Sequence, residues 1–196
     1  MKNFVNYIFQ DWEVNKEGSS KSRFILLMFR ATQILGRLPI PFLSGFFRNF
    51  YTLIVEWLLG VELPWDTKIG SDLRLIHGVG LVVNNGTIIG HNCIIRHSTT
   101  IGNKKLPDGS YTGSPKIGNN VEVGSNVVII GPITIGNNAV IGAGSVVVKD
   151  VPEGAVAVGN PAKVIKRLNL TSAQTDHSEE DNSAQARLPD TTSCIY

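Results

Sequence analysis

The sequence predicts a mainly β solenoid, because a six-residue repeat of the form I/V-G-x-x-x-x runs through the middle of the chain. The Ile-Gly and Val-Gly pairs of this repeat begin at Ile69, Ile89, Ile101, Ile117, Val123, Ile135 and Ile141. A period this short is typical of a coiled chain in which each turn stacks on the previous one. Residues at the same corner of successive coils then form a column, so functional residues are sought by their position in the coil.

Three hexapeptides make one triangular coil, and the inward positions give about four coils. The first inward positions are 69, 75 and 81; after a two-residue insertion around 84–86 they resume at 89, 95 and 101, and a second series runs from 117 to 147. Ile and Val are expected to fill the interior. Gly, Asn and Asp are expected at the corners, where a positive φ is often required.

Residues 1–60 are predicted to be helical. Apolar residues recur at near-helical spacing over 24–35 and again over 46–59, and prolines separate the two stretches. The apolar segment 44–61 contains two charged residues and falls short of the roughly 20 apolar residues of a membrane-spanning helix. We expect it to pack on the end of the solenoid or between subunits, and attachment to a membrane surface is the alternative.

Two segments break the regular pattern. The excursion 103–115 is too long for a corner, and its Asp108-Gly109 pair predicts a turn of its own. A long loop in a regular solenoid is usually functional. Beyond the repeat domain, predicted over 61–168, the segment 169–196 has no periodicity and is rich in Ser, Thr, Asp and Glu, so a disordered tail is expected.

Composition excludes several classes of protein. A chain of 196 residues with 42% apolar and 17% charged residues is typical of a soluble globular protein. A formal net charge of +2 is too small to indicate nucleic-acid binding. The two cysteines, Cys93 and Cys194, have no spacing that suggests disulfides or a metal site, and the N-terminus lacks the uninterrupted apolar core of a secretory signal. A reducing, cytoplasmic setting is therefore expected.

Stacking arithmetic places two histidines in one column. His77 follows inward position 75 by two residues, and the equivalent position one coil later is His97. Ser125 and Ala143 continue the column in the next two coils. Because the ordinary pKa of histidine lies near working pH, such a residue can accept a proton from a hydroxyl and return it later.

Three neighbouring residues have simpler or supporting roles. Glu62 precedes Gly80 by eighteen residues, so we expect it over the same corner as His77, where a carboxylate could orient the imidazole. His91 falls on a different corner and is interpreted as a hydrogen-bonding corner residue. Cys93 lies near an inward position and is interpreted as a small core residue.

Further stretches carry a family resemblance: LRLIHGVGLVVNNGTIIG, IGAGSVVVKDVP and AVGNPAKVIKR. They resemble the left-handed β-helix acyltransferases, and within them the serine acetyltransferase-like branch, while RFILLMFR and GVELPWDTKIG resemble the colanic-acid-type acetyltransferases of exopolysaccharide gene clusters. Left-handed coiling is implied by this resemblance alone, since parallel crossovers are ordinarily right-handed. The resemblance also implies acetyl-CoA as co-substrate, no metal, and a homotrimer that binds the donor between adjacent subunits.

The resemblance assigns site residues position by position. His77 matches the general base, and Glu62 falls where serine acetyltransferases have an aspartate. The implied donor-binding residues are Ser125 and Ala143 along the pantetheine arm, with Lys163, Lys166 and Arg167 near the nucleotide phosphates. Acceptor binding is expected from Ser114, Tyr111 and His97, although His97 could instead support the column. Serine acetyltransferases have an Arg-His pair before the Pro-Lys-Ile that follows the long loop, and this chain has Gly113-Ser114 there.

The predicted function is transfer of acetyl from acetyl-CoA to a sugar hydroxyl of an exopolysaccharide precursor, nucleotide- or lipid-linked, through a direct ternary complex. The expected location is the cytoplasm or the inner face of the membrane. Three alternatives stay open: a serine acetyltransferase of cysteine biosynthesis, a catalytically silent trimeric scaffold, and a zinc enzyme of the carbonic anhydrase kind. The last would need three histidines meeting between subunits.

Overall fold

The computed structural model describes residues 2–167, and the predicted tail at 169–196 lies outside the described residues. Helices occupy the N-terminal part, as the apolar spacing predicts. They are α1 (Lys2–Ile8), a 3-10 turn (Glu13–Asn15), α2 (Ser20–Leu35), α3 (Pro41–Tyr51) and a π-helical segment (Thr52–Leu58) that continues α3. Ser19 caps α2 by accepting a hydrogen bond from the Lys21 amide, and Pro41 begins α3 at a position where its missing N–H costs nothing.

Short strands follow the helices and wind around a three-sided prism. They are β1 (Lys68–Ile69), β2 (Arg74–Ile76), β3 (Val82–Val83), β4 (Ile88–Ile89), β5 (Ile94–Arg96), β6 (Thr100–Gly102), β7 (Lys116–Ile117), β8 (Glu122–Val123), β9 (Val128–Ile130), β10 (Thr134–Ile135), β11 (Val140–Ile141), β12 (Val146–Val147), β13 (Ala155–Val158) and β14 (Lys163–Arg167).

Each face of the prism is one sheet. Face 1 has the order β1-β4-β7-β10, face 2 the order β2-β5-β8-β11-β13-β14, and face 3 the order β3-β6-β9-β12. Neighbouring strands are parallel except for β13 and β14, which are antiparallel. We call the turn between faces 1 and 2 corner 1, that between faces 2 and 3 corner 2, and that between faces 3 and 1 corner 3.

The predicted apolar residues fill the interior of the prism. One inward position of the first coil was predicted wrongly. Leu75 pairs with Ile95, as predicted, but Val83 and not Leu81 pairs with Ile101. The first coil therefore takes two extra residues to turn corner 2, and the insertion lies within 77–80 instead of around 84–86. Leu81 and Val83 are both buried, so the apolar pattern alone could not distinguish them.

The helical region closes the first coil of the prism through buried polar groups. Arg30 is fully buried, and its Nε donates to Oδ2 of Asp11 at 2.7 Å. The same guanidinium donates to the backbone carbonyl oxygens of Ile69 at 2.9 Å and Gly70 at 2.6 Å. Asp11 also accepts the amide of Leu73 at 2.9 Å. These bonds occupy polar groups at the open edge of the first coil, which has no preceding coil to pair with.

The segment that continues through α3 packs on the prism with one side only. Tyr51 and Val55 are fully buried, and the Tyr51 hydroxyl donates to the carbonyl oxygen of Leu63 at 2.6 Å. The opposite side is exposed, with Phe42 at 87% and Trp57 at 82% exposure. Within residues 2–167, every helix is too short or too polar to cross a bilayer.

Candidate active site

The widened first turn of corner 2 carries the predicted general base. His77 has φ +65°, in a region of backbone conformation that residues other than glycine rarely adopt. Gly78 and Gly80 also have positive φ. Gly78 has φ +56°, and a Cβ there would lie 2.8 Å from Cδ2 of Leu75, so glycine is favoured at this position. The positive φ of His77 thus falls within the two-residue insertion. Among the described residues, six other non-glycine residues at the corners of the prism also have a positive φ.

His97 lies beside His77, as the stacking arithmetic predicts. The two imidazole rings are 5.9 Å apart between centroids and are arranged edge to face. His77 is exposed, whereas His97 is half-buried and its Nδ1 has no hydrogen-bond partner among the described residues. The carbonyl oxygen of His97 accepts the amide of Asn126 at 3.1 Å, which fixes its backbone to the next coil.

Small residues continue the column below the two histidines. Ser125 and Ala143 follow Val123 and Ile141, which pair with each other in register. A Cβ on Gly124 would lie 2.5 Å from the Ala143 amide nitrogen, so the two coils touch through their backbones. Because no large side chain rises from these positions, the column is open to a long ligand.

Strand β14 lies at the far end of face 2 from His77. Five strand spacings of about 4.8 Å separate β14 from β2, so β14 is about 24 Å from the coil of His77. Lys163 and Lys166 are exposed on β14, and Arg167 is its last residue. The predicted donor-binding residues are thus spread along one side of the prism.

Glu62 stacks two residues away from its expected position. It forms a parallel bridge with Val82, and its amide donates to the Leu81 carbonyl oxygen at 2.8 Å. Gly60 takes the place over Gly80, whose amide donates to the Gly60 carbonyl oxygen. The misplaced insertion in the sequence count causes this error. Glu62 therefore lies on face 3 beside corner 2, and it lines a groove of about 440 Å³ along that face.

A second carboxylate, which the sequence did not point to as functional, lies near Glu62. Glu56 is half-buried in the π-helical segment, and burial together with the negative charge of Glu62 raises its pKa. Burial and the charge of Glu56 also raise the pKa of Tyr51. The only sequence signal was that Glu56 interrupts an otherwise apolar stretch. π-Helical segments are frequently found at functional sites.

The excursion 103–115 is a small hairpin at corner 3. Lys105 and Tyr111 form an antiparallel bridge, and Gly109 has φ +86° in the turn that Asp108-Gly109 predicts. The carboxylate of Asp108 accepts the amide of Ser110 at 2.9 Å and its hydroxyl at 2.6 Å. These hydrogen bonds hold the pKa of the Asp108 carboxyl below its usual value.

The predicted acceptor residues divide between two corners. The Ser114 hydroxyl donates to Oδ1 of Asn84 at 2.7 Å, which ties the base of the hairpin to the first coil. Tyr111 is 63% exposed. Both residues belong to the corner 3 connection, whereas His77 and His97 are at corner 2, so one chain does not bring all four together.

His91 and Cys93 have the structural roles expected for them. The Nδ1 of His91 accepts the amide of Ser71 at 3.0 Å at corner 1. Cys93 is fully buried, and burial raises the pKa of its thiol, which disfavours the nucleophilic thiolate. In the part of the chain that the structure describes, no three His, Cys, Asp or Glu side chains are grouped closely enough to hold a metal ion.

Comparison with known proteins decides the family. A family profile described as "Bacterial transferase hexapeptide (six repeats)" matches residues 114–149. A protein named "Putative colanic acid biosynthesis acetyltransferase WcaB" from Escherichia coli K12 is 42% identical over 114 residues, which cover 58% of this chain and 68% of that protein. The chain belongs to the hexapeptide-repeat acetyltransferases. The predicted family and the predicted enzyme class are thereby confirmed.

Serine acetyltransferases are also relatives of this hexapeptide acetyltransferase. One from Synechococcus elongatus is 37% identical over 131 residues, 67% of this chain and 52% of that protein. The solved serine acetyltransferase of Neisseria gonorrhoeae is 30% identical and superposes with a TM-score of 0.70 over 92% of this chain and 72% of its own. The fold is thus the left-handed parallel β-helix, as predicted. The names of these relatives refer to colanic acid biosynthesis and to serine, so the similarity alone does not identify the acceptor.

Proposed function

We propose that this acetyltransferase transfers the acetyl group of acetyl-CoA to a sugar hydroxyl of an exopolysaccharide precursor. The observation that carries the proposal is the arrangement at corner 2, where an exposed His77 stands beside His97 at the head of an open column. This arrangement supplies a proton acceptor next to a groove for a long donor. The alternative of a silent scaffold assigns no role to the adjacent imidazoles of His77 and His97.

The proposed reaction is a direct transfer in a ternary complex. His77 accepts the proton of the sugar hydroxyl while the oxygen attacks the thioester carbonyl of acetyl-CoA. The tetrahedral intermediate collapses with breakage of the carbon–sulfur bond, and the imidazolium returns the proton to the departing CoA sulfur. No acetyl-enzyme is formed, in accord with the burial of Cys93.

The donor is proposed to lie along the column. Its pantetheine arm would contact the backbone at Ser125 and Ala143, where side chains are small. Lys163, Lys166 and Arg167 would interact with the phosphates at the other end of the face, since basic residues form strong charge-assisted hydrogen bonds with phosphate.

Glu62 is proposed to orient His77 and stabilise its protonated form. Its bridge to Val82 places it on face 3, next to the corner that carries His77. A carboxylate near an imidazole favours the charged form of the ring and can fix its tautomer. Glu56 adds negative charge to the same side of the site.

The acceptor is proposed to be a sugar and not an amino acid. Gly113 and Ser114 offer no cation for an amino-acid carboxylate, and the Ser114 hydroxyl already donates to Asn84. The hydroxyl and aromatic groups of the hairpin suit a carbohydrate, and a relative named for colanic acid biosynthesis supports this acceptor class.

The working unit is proposed to be a homotrimer in the cytoplasm or at the inner face of the membrane. The exposed side of α3 and the π-helical segment is apolar, and its most exposed large residues are Phe42, Phe46, Leu53, Trp57 and Leu58. A patch of this kind is typical of an interface. Packing of three copies would also allow the hairpin of one subunit to meet corner 2 of the next, which the acceptor assignment of Ser114 and Tyr111 requires.

The test is release of CoA thiol from acetyl-CoA, measured with L-serine and with a panel of saccharides in separate reactions. The proposal predicts saturable turnover with at least one saccharide and very poor turnover with L-serine. The His77→Ala variant controls for spontaneous hydrolysis. Efficient turnover with millimolar L-serine would replace this proposal by serine acetylation, which the similarity to solved serine acetyltransferases favours.

A further inference from the structure

A cavity of about 280 Å³ separates the helical region from the first coil next to His77. One wall is the connection 15–19 that leads into α2, and the other wall is strand β2 with His77 at its end. We call this space the His77 cavity. None of its other lining residues was assigned a function from the sequence, although the cavity opens on the proposed general base.

The wall 15–19 is held firmly against β2. The side-chain amide of Asn15 donates to the Leu73 carbonyl oxygen at 2.8 Å and accepts the Leu75 amide at 3.0 Å. These two bonds flank Arg74, so the backbone of Arg74 is fixed relative to this wall. The cavity is therefore formed before any acceptor binds.

The two walls of the His77 cavity carry residues of opposite charge that form no ion pair with each other. Arg74 is exposed on β2, and Glu17 is exposed on the other wall. The ion pairs found within residues 2–167 are Lys16–Glu13, Arg30–Asp11 and Arg96–Glu122, none of which involves Arg74 or Glu17. A guanidinium that forms no ion pair within the described part of the chain can bind a carboxylate or a phosphate of a ligand through two parallel hydrogen bonds.

We propose that the His77 cavity forms part of the acceptor site and that Arg74 selects a saccharide bearing an anionic group, either a uronate carboxylate or a phosphate ester. This inference rests on the proposed function and narrows its substrate class. Arg74 binds the anionic group, and Glu17 accepts hydrogen bonds from ring hydroxyls. With the sugar held at both walls, one further hydroxyl is directed to His77 at the end of the cavity.

The experiment compares matched pairs of small saccharides by NMR titration of the intact protein. One pair is methyl β-glucuronoside and methyl β-glucoside, and the other is glucose 1-phosphate and glucose. Since hydrogen bonds between charged groups are worth a factor of roughly ten in affinity, the anionic member of at least one pair should bind about tenfold more tightly. The pair that shows the preference identifies the source of the anionic group.

Three variants assign any preference to Arg74. Arg74→Ala should remove it, and Arg74→Lys should keep only part of it, because an ammonium group lacks the two-pronged geometry of guanidinium. Lys68→Ala, on face 1, is the matched control and should keep it. Melting temperatures close to that of the parent would show that the variants fold.

Equal binding of anionic and neutral sugars in both pairs, or a preference that survives in Arg74→Ala, would overturn the inference. In that case acetylation of a neutral sugar would leave the proposed function intact. Conversely, acetylation of L-serine alone would remove the proposed function, whatever the binding preference.

Discussion

Replacement of His77 by glycine should separate catalysis from stability. Loss of a general base lowers turnover by about 10²- to 10⁴-fold. His77 has φ +65°, and this region costs a residue with a Cβ roughly 1–2 kcal/mol that glycine does not pay. The greater conformational freedom of glycine in the unfolded chain offsets roughly 0.5–1 kcal/mol of this gain in stability. The free energy of unfolding should therefore change by between about zero and +1.5 kcal/mol.

The assay pairs steady-state thiol release with denaturant unfolding of the same samples. Acetyl-CoA affinity, measured by calorimetry, should stay close to that of the parent. Asn92→Gly is the matched control, because Asn92 has φ +54° at corner 1, away from the site. It should keep parental turnover and gain less stability, since the short polar side chain of asparagine can hydrogen-bond locally in this conformation. A His77→Gly enzyme within tenfold of the parental kcat/KM would refute the assignment of the base and direct attention to His97.

Three further predictions concern the helical region. Asp11→Ala should lower the free energy of unfolding by about 3–5 kcal/mol in chemical denaturation, because it leaves the buried Arg30 charge unpaired; a loss below 1 kcal/mol would contradict this. Because the pKa of Glu56 is raised, stability falls as pH rises through its titration, so Glu56→Gln should melt above the parent near pH 8, with the gap closing near pH 4. The exposed Glu153→Gln variant should show no such trend, and a constant gap for Glu56→Gln would argue against the pKa shift. Phe46→Asp should dissociate the proposed trimer in sedimentation, and an unchanged sedimentation coefficient would place the interface elsewhere.

The period of the repeat predicted the prism, its corners and the column of His77, His97, Ser125 and Ala143, because stacking depends only on counting between equivalent positions. The period did not predict the position of the two-residue insertion in the first coil. Leu81 and Val83 are both apolar and both buried, so either could be the inward position, and only the pairing with the next coil decides. Because of this two-residue error, Glu62 was aligned with Gly80 in the next coil, whereas the structure aligns it with Val82.

Contacts between distant parts of the chain could not be predicted from a single sequence. Asp11 and Arg30 are nineteen residues apart in the sequence, and nothing local shows that both become buried. The proximity of Glu56 to Glu62 likewise depends on how the π-helical segment meets the first coil. Asp108-Gly109, by contrast, predicted the turn of the hairpin correctly, because a turn is set by the residues within it.

The most direct test of sugar acetylation by His77 is a competition in one reaction. Acetyl-CoA, L-serine and a saccharide mixture containing the uronate and phosphate probes are incubated together, and mass spectrometry identifies which acceptor carries the new acetyl group. The account predicts an O-acetylated saccharide with the parent enzyme, its loss with His77→Ala, and no more O-acetylserine than in a reaction without enzyme. O-acetylserine as the main product, or equal saccharide acetylation by His77→Ala, would contradict it.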